Sequence, residues 1–277
     1  MKRTTRLILA TVIASTMVHG FDMGAGGFNA EAFINKAKRL AKKYVKDEGT
    51  KYAEDQAMSL APKRTVQGGT TRLTFPLKTH LIFNNKNCNK VIKRDAFTSC
   101  YDYDKKGSRL LFYTLRGDDL RSGYIQRKEY GNPFYADNAI PEAFRAYPYD
   151  FSHSGQDKGH IRSYASSAYS QKLINQTYSM VNVLPQTPDL NRNAWLGAEK
   201  YERYTARKVG TVGVLNIAMY EKPVKRIGRH KVAVPSGFYK IVTDASGEPL
   251  RCFYYPNVKR QSSSLRDHIV DCDKIRY

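Results

Sequence analysis

One segment fixes the class of fold. Pro188 suits the first position of a helix with Thr187 as its N-cap. The helical pattern then runs from Asp189 to about Lys208 and stops before Gly210. Strand-favouring runs lie on both sides of it: Leu81-Ile82-Phe83, Leu110 to Tyr113, Val212 to Met219, Val232 to Thr243 and Cys252 to Tyr255. Strands grouped before and after one helix predict an α+β fold rather than a repeating strand–helix–strand unit. There is no internal repeat and no low-complexity tract.

The same segment carries the polar residues that call for a chemical explanation. Asp157-Lys158-Gly159-His160 precedes it, and Asn182 follows His160 by 22 residues in the run Val181-Asn182-Val183-Leu184-Pro185-Gln186. On the helix, Asn191, Trp195 and Glu199 are spaced i, i+4, i+8, which predicts one shared face. Trp195, the sole tryptophan, is expected to pack the helix against the strand layer. Asn191 and Glu199 are polar groups that a core-facing helix does not carry without a use. Taken singly, a histidine is more often structural than catalytic, and an asparagine near a helix start more often bonds the local backbone. The ordered set D-K-G-H, N-x-x-P-Q, N-x-x-x-W-x-x-x-E is far more specific than any of its parts.

Charge points to the partner. The 277 residues hold 46 Lys+Arg against 25 Asp+Glu, a net charge of +21. With 41% hydrophobic and 12% aromatic residues the chain can build a core, so this is not the composition of a disordered tail. So large an excess suits a polyanion: nucleic acid first, an anionic membrane surface second. Lys2, Arg3 and Arg6, the apolar run from Leu7 to Val18 and the small residues up to Gly20 read as a signal peptide over 1–20. Its removal would leave +18 and predicts a periplasmic or secreted protein. Residues 21–70 hold a Gly-rich start, basic amphipathic helical pattern between about 30 and 60, and a linker. That helix would suit a membrane surface, although packing on the main domain is the commoner use of such a face. The main domain spans 71–277. Cys88, Cys100, Cys252 and Cys272 contain no C-x-x-C pair. In an oxidising compartment the sequence-local pairings Cys88–Cys100 and Cys252–Cys272 are favoured, each contributing about 3 kcal/mol through the unfolded state.

The motifs resemble those of the DNA/RNA non-specific endonucleases, nucleases with a ββα-metal site. The family's D-R-G-H, S-N-x-x-P-Q and L-N-x-x-x-W-x-x-x-E elements stand here as DKGH, VNVLPQ and LNRNAWLGAE. Softer matches are Tyr113-Thr114-Leu115, the stretch from Arg127 to Asp137 with Ile140-Pro141, and Val234 to Lys240. The resemblance covers roughly 75–260. It implies a ββα-metal nuclease fold with a central antiparallel sheet flanked by helices, to which this chain adds an N-terminal helical extension. It assigns His160 as general base and Asn191 as the direct protein ligand of a divalent metal. Glu199 becomes the carboxylate holding that metal through water, and Asn182 a second asparagine near the scissile phosphate. Arg127 best matches the upstream phosphate-contacting arginine, with Lys128 and Arg121 competing. Lys158 replaces the family's arginine and keeps the charge without the planar fork. Asp157 is expected to brace its turn and is left outside the metal set.

These roles are chemically coherent. A neutral imidazole, with an ordinary pKa of about 6.5, can take a proton from water near neutral pH. Mg²⁺, with Mn²⁺ as the alternative, needs few protein oxygens because it keeps most of its waters. Arg127 and Lys158 would neutralise the phosphate. The expected activity is phosphodiester hydrolysis of DNA and RNA with little sequence preference, and the resemblance implies 5′-phosphate and 3′-hydroxyl ends. Two other readings compete: an envelope nucleic-acid-binding protein with a weak site, used in DNA capture or uptake, and a membrane-surface protein working through the 30–60 helix. The latter leaves 155–199 unexplained.

Overall fold

A computed structural model describes residues 69–127 and 133–277. The expected signal peptide and the basic helices between 30 and 60 lie outside those residues. In chain order the described elements begin with a single helical turn α1 (Thr79–Ile82), strands β1 (Lys90–Lys93), β2 (Thr98–Asp102) and β3 (Gly107–Arg116), and the short helix α2 (Asp119–Ser122). They continue with β4 (Asp157–His160), α3 (Gln171–Thr177), β5 (Val183–Gln186), the long helix α4 (Trp195–Val209) and β6 (Thr211–Met219). The last strands are β7 (Arg226–Ile227), β8 (Val232–Ala233), β9 (Gly237–Thr243) and β10 (Pro249–Pro256), followed by 3₁₀ turns at Leu265–His268 and Cys272–Lys274.

Six strands form one antiparallel sheet in the order β1-β2-β3-β6-β9-β10. Its central strands are covered on both faces, so β6 and β9 are buried almost throughout. That is why they read as continuous apolar runs rather than alternating ones. Side chains sort by the two-residue period of a strand. Leu215, Ile217, Tyr239, Ile241 and Cys252 face a core shared with Leu73, Ile82 and Ile275. The intervening Phe238 and Tyr255 face the other way and meet Trp195 of α4 at ring-centroid distances of 5.5 and 5.6 Å. Trp195 is 0% exposed, in keeping with its expected packing role. Helix α4 thus covers one face of the sheet, and the chain belongs to the α+β class.

The structure joins Cys88 to Cys100 and Cys252 to Cys272, the two sequence-local pairs. The first clips the loop after α1 to β2, and the second clips β10 to the C-terminal segment.

Three local expectations change. Leu81-Ile82-Phe83 is not a strand; Thr79–Ile82 forms one helical turn. The amides of Asn84 and Asn87 accept no part in a ladder; they donate to the Leu81 and Ile82 carbonyls that a helix end leaves open. The Val232-to-Thr243 run breaks at Val234-Pro235-Ser236 into β8 and β9. Pro235 has no N–H to offer a ladder, and its carbonyl accepts instead from Asn257 Nδ2 at 2.9 Å. The motif helix is not uniform either. It starts at Pro188, with Thr187 Oγ1 accepting from the Leu190 N–H at 3.3 Å. It then widens into a π-helical turn over Leu190–Ala194, where the Trp195 N–H reaches the Leu190 carbonyl, before α4 begins.

Candidate active site

Strand β4 pairs antiparallel with β5, setting Gly159 opposite Leu184 and His160 opposite Val183. D-K-G-H has no β-branched residue, so pairing rather than propensity makes it a strand. Gly159 is required by a close approach: a Cβ there would lie 2.3 Å from Oε1 of Gln186. The two-residue period then puts Lys158 and His160 on one side of β4 and Asp157 on the other. The Trp195 indole N–H donates to the His160 carbonyl at 3.0 Å, tying β4 to the first turn of α4. One buried side chain therefore sets the distance between the strand that carries the histidine and the helix that carries Asn191 and Glu199.

Those residues meet at an open cleft of about 560 Å³. Arg127, Lys158, His160, Asn191 and Glu199 all line it, together with Asp157 and Arg192. The His160 ring packs near Phe134 and Tyr178, with centroids at 5.1 and 5.6 Å, and its Nε2 is buried without a hydrogen-bond partner. Burial, reinforced by the Arg127 guanidinium, pushes the imidazole pKa down to about 3, so the ring is neutral at physiological pH. The neutral ring is the form able to accept a proton, as a general base must.

Asn191 is oriented from behind. Its Nδ2 donates to Asp157 Oδ2 at 3.0 Å, while Arg192 grips both Asp157 oxygens through Nε and Nη2 at 2.8 Å. An ionised carboxylate only accepts, so the amide nitrogen must face Asp157 and Oδ1 is turned away from it. Burial pushes the Asp157 carboxyl upward, but the bonds from Arg192 and Asn191 outweigh that and hold it below the ordinary carboxylate range. Asp157, expected to brace its own turn, instead holds Asn191 and Arg192 at the start of the motif helix. Glu199 sits in the cleft with its pKa raised to about 7 by burial first and the Glu202 carboxylate second, against the pull of Lys240 and Arg203.

Asn182 does not reach the cleft. It is 0% exposed, and its amide is spent on backbone. Oδ1 accepts from the Arg162 N–H at 2.9 Å, and Nδ2 donates to the Arg162 and Thr177 carbonyls at 2.9 Å. Such a side chain has no capacity left for a phosphate. Asn182 is a positioning residue that fixes the chain just after His160, which corrects the expectation of a place beside the scissile bond. Trp195 likewise shares the spacing of Asn191 and Glu199 but not their surroundings; it lies in the core beneath them. Arg127 is exposed at the cleft rim, its guanidinium 5.7 Å from the Tyr164 ring centroid. Its competitor Lys128 lies outside the described residues. Arg121 is engaged with Asp118 and the Arg207 carbonyl and does not line the cleft.

Sequence reasoning missed a buried polar cluster under Glu199. Glu202 and Lys240 are both 0% exposed and paired at 2.7 Å, and Glu202 also accepts from the hydroxyls of Tyr113 and Ser166. The Lys240 ammonium lies 4.4 Å from the Trp195 ring centroid. Glu202 stands three residues after Glu199 on α4, the spacing that would have flagged it. Arg192, beside Asn191, was equally open to notice.

The donors on offer are an amide oxygen and a carboxylate. Among the described residues no group of three or more His, Cys, Asp or Glu is placed to hold a metal ion. A thiolate- or imidazole-seeking ion therefore finds no cage among them, whereas Asn191 and Glu199 fit a hard cation that retains much of its water.

Comparison with known proteins places the chain among nucleases. The family model described as DNA/RNA non-specific endonuclease matches residues 79–276. The chain is 34% identical over 177 residues to the mitochondrial endonuclease G of Homo sapiens, covering 59% of each protein. It is 31% identical over 194 residues to that of Bos taurus, covering 64% of this chain and 62% of the relative. The chain thus spans about six tenths of the length of these two relatives. A nuclease of Nostoc sp. is 28% identical over 199 residues, covering 65% of this chain and 68% of the relative. Among solved structures, the EndoG/EndoGI complex contains a chain that superposes with a TM-score of 0.57 at 21% identity, over 73% of this chain and 94% of that one. At that identity the likeness is one of fold.

Proposed function

Because the chain belongs to the DNA/RNA non-specific endonuclease family, we propose that it is an exported, divalent-metal-dependent endonuclease that hydrolyses phosphodiester bonds of DNA and RNA with little sequence preference. The observation that carries this reading is the convergence of neutral His160, oriented Asn191 and Glu199 on one cleft flanked by Arg127 and Lys158. In the reaction His160 takes the proton of the attacking water at its imidazole. Arg127 and Lys158 bind and neutralise the phosphate as charge builds on its oxygens. Asp157 keeps the Asn191 carboxamide from turning over, and Trp195 keeps β4 and α4 in register. Asn191, with Glu199 through water, would hold Mg²⁺ or Mn²⁺, which when bound stabilises the leaving oxygen. Cleavage on that side leaves 5′-phosphate and 3′-hydroxyl ends.

Sequence independence follows from what the cleft offers. Cations meet phosphates, which every nucleic acid presents alike. The excess of +18 left after removal of residues 1–20 would set encounter rate and salt sensitivity. Two disulfides support an oxidising destination, and the basic-then-apolar start supports export to the periplasm or medium. Purified protein should relax supercoiled plasmid and degrade single-stranded RNA in Mg²⁺, and EDTA should stop both. Binding without cutting under any divalent ion would instead favour a nucleic-acid-binding role at the envelope. Mass spectrometry of the exported protein should find its first residue near position 21; retention of residues 1–20 would overturn the export reading.

A further inference from the structure

Beside the cleft lies a second constellation that the reaction does not use. The 3₁₀ turn Pro148–Phe151 ends in Phe151, which lines the cleft, and begins beside two tyrosines. Asp150 in that turn is 0% exposed. Its carboxylate accepts from the Tyr147 N–H at 2.9 Å, from the His230 N–H at 3.1 Å and from His230 Nδ1 at 2.9 Å. A carboxylate cannot donate, so Nδ1 carries the proton and the imidazole is locked in place. The loop bearing His230 is pressed down on this anchor: Gly228 has φ +66°, and a Cβ there would lie 2.4 Å from Asp150 Cβ. What Asp150 holds together is a cluster of rings. Tyr147 lies against Tyr149 with centroids 5.1 Å apart and planes 20° apart, and against His230 at 4.5 Å. Tyr149 is the outermost ring, 55% exposed, with the exposed Arg229 within electrostatic reach of its phenol.

A large aromatic held rigid from behind, bare in front and accompanied by a cation suits a stacked nucleobase better than a core contact. Tyr149 is two residues from Phe151 in the same turn, and Phe151 lines the cleft, so the ring cluster borders the cleft. We infer that the Tyr149–Tyr147–His230 cluster is a subsite for an unpaired nucleobase of a strand bound in the cleft. The faces of bases inside a duplex are covered by their neighbours, so the platform accepts single strands, strand ends and locally opened duplex. It makes the enzyme grip single-stranded nucleic acid more tightly than its phosphate contacts alone allow. The inference rests on the reading of the cleft as a nucleic-acid site.

The test uses the full mature chain in EDTA, so that binding is read without cutting. An oligonucleotide carrying one 5-iodouracil is titrated as a single strand and as a duplex of equal length. Tyr149→Ala is expected to weaken single-strand binding about tenfold and duplex binding by less than about twofold, with Tyr149→Phe close to wild type. Ultraviolet cross-linking should place the iodouracil on the peptide that contains Tyr149. Equal loss on both substrates, no loss on either, or a cross-link elsewhere overturns the subsite. Failure of the wild type to bind or, with Mg²⁺, to cut any nucleic acid overturns the cleft reading itself, a separate and recognisable result.

Discussion

Replacing Asp157 by alanine tests whether Asn191 is aimed rather than merely present. The substitution removes three accepted hydrogen bonds: one from Asn191 at 3.0 Å and two from Arg192 at 2.8 Å. The Arg192 side chain is 66% exposed and can return to water, so loss of that ion pair should cost about 0–1 kcal/mol of stability. Asn191 has no such compensation. Its carboxamide becomes free to turn, presenting an N–H₂ group where a cation needs an oxygen, and the released Arg192 cation remains next to it. Removal of groups that orient a metal ligand typically weakens metal affinity about 10- to 100-fold, equivalent to roughly 1.4 to 2.8 kcal/mol. The assay is the initial rate of plasmid relaxation as a function of Mg²⁺ concentration. The half-saturating concentration should rise about 10- to 100-fold, with most of the maximal rate recovered at high metal and a thermal midpoint within about 4 °C of wild type. Arg192→Gln keeps the Asn191–Asp157 bond and should shift the metal requirement far less. Should the maximal rate collapse while the metal requirement stays put, Asp157 would belong to the chemical step and the orienting argument would be refuted.

Lys240→Met leaves the Glu202 carboxylate buried with only hydroxyl partners, which should destabilise the fold by about 3–5 kcal/mol in urea denaturation. Glu202→Gln combined with Lys240→Met should recover much of that loss, and a double-mutant cycle showing no coupling would contradict a true ion pair. The pH responses of His160 and Glu199 oppose one another. The His160 pKa is depressed from 6.5 to about 3, so its contribution to stability is full above pH 6.5 and is lost as pH falls towards 3. The Glu199 pKa is raised from 4.5 to about 7, so its contribution is full below 4.5 and is lost as pH rises through 7. An NMR titration of the metal-free protein should therefore show no His160 transition between pH 5 and 8; a transition near 6.5 would remove the burial argument. Lys158→Arg restores a planar fork at the phosphate and should lower KM for DNA about two- to fivefold with kcat little changed; an unchanged KM would mean that Lys158 does not touch substrate.

The parts of the molecule legible in sequence were those where local chemistry and global packing agree. Thr187 and Pro188 announce the helix start, and the two-face burial of β6 and β9 writes itself as unbroken apolar runs. The candidate site was legible through the resemblance of its ordered motifs to those of the endonuclease family, with the spacing of Asn191 and Glu199 pointing to one helix face. Other features depend on partners distant in the chain. Asn182 looks available on its own, and only the Arg162 and Thr177 backbone groups show that its amide is fully engaged. The strand at Asp157–His160 has no strand propensity and exists because β5 pairs with it. The helix at Thr79–Ile82 is held by asparagine amides that no periodicity reveals. Glu202 and Lys240 are charges that sequence assigns to the surface, and they become core residues only because each finds the other.

The central claim is that His160 and Asn191 perform cleavage, whereas the cationic surface performs capture. The most direct measurement compares plasmid binding and plasmid cutting for wild type, His160→Ala and Asn191→Ala, with Mg²⁺ and with EDTA. Wild type should cut in Mg²⁺ only. His160→Ala should bind with unchanged salt dependence and lose cutting by about 100-fold or more, and Asn191→Ala should bind but respond weakly or not at all to metal. Cutting that survives His160→Ala, or that proceeds undiminished in EDTA, would contradict it.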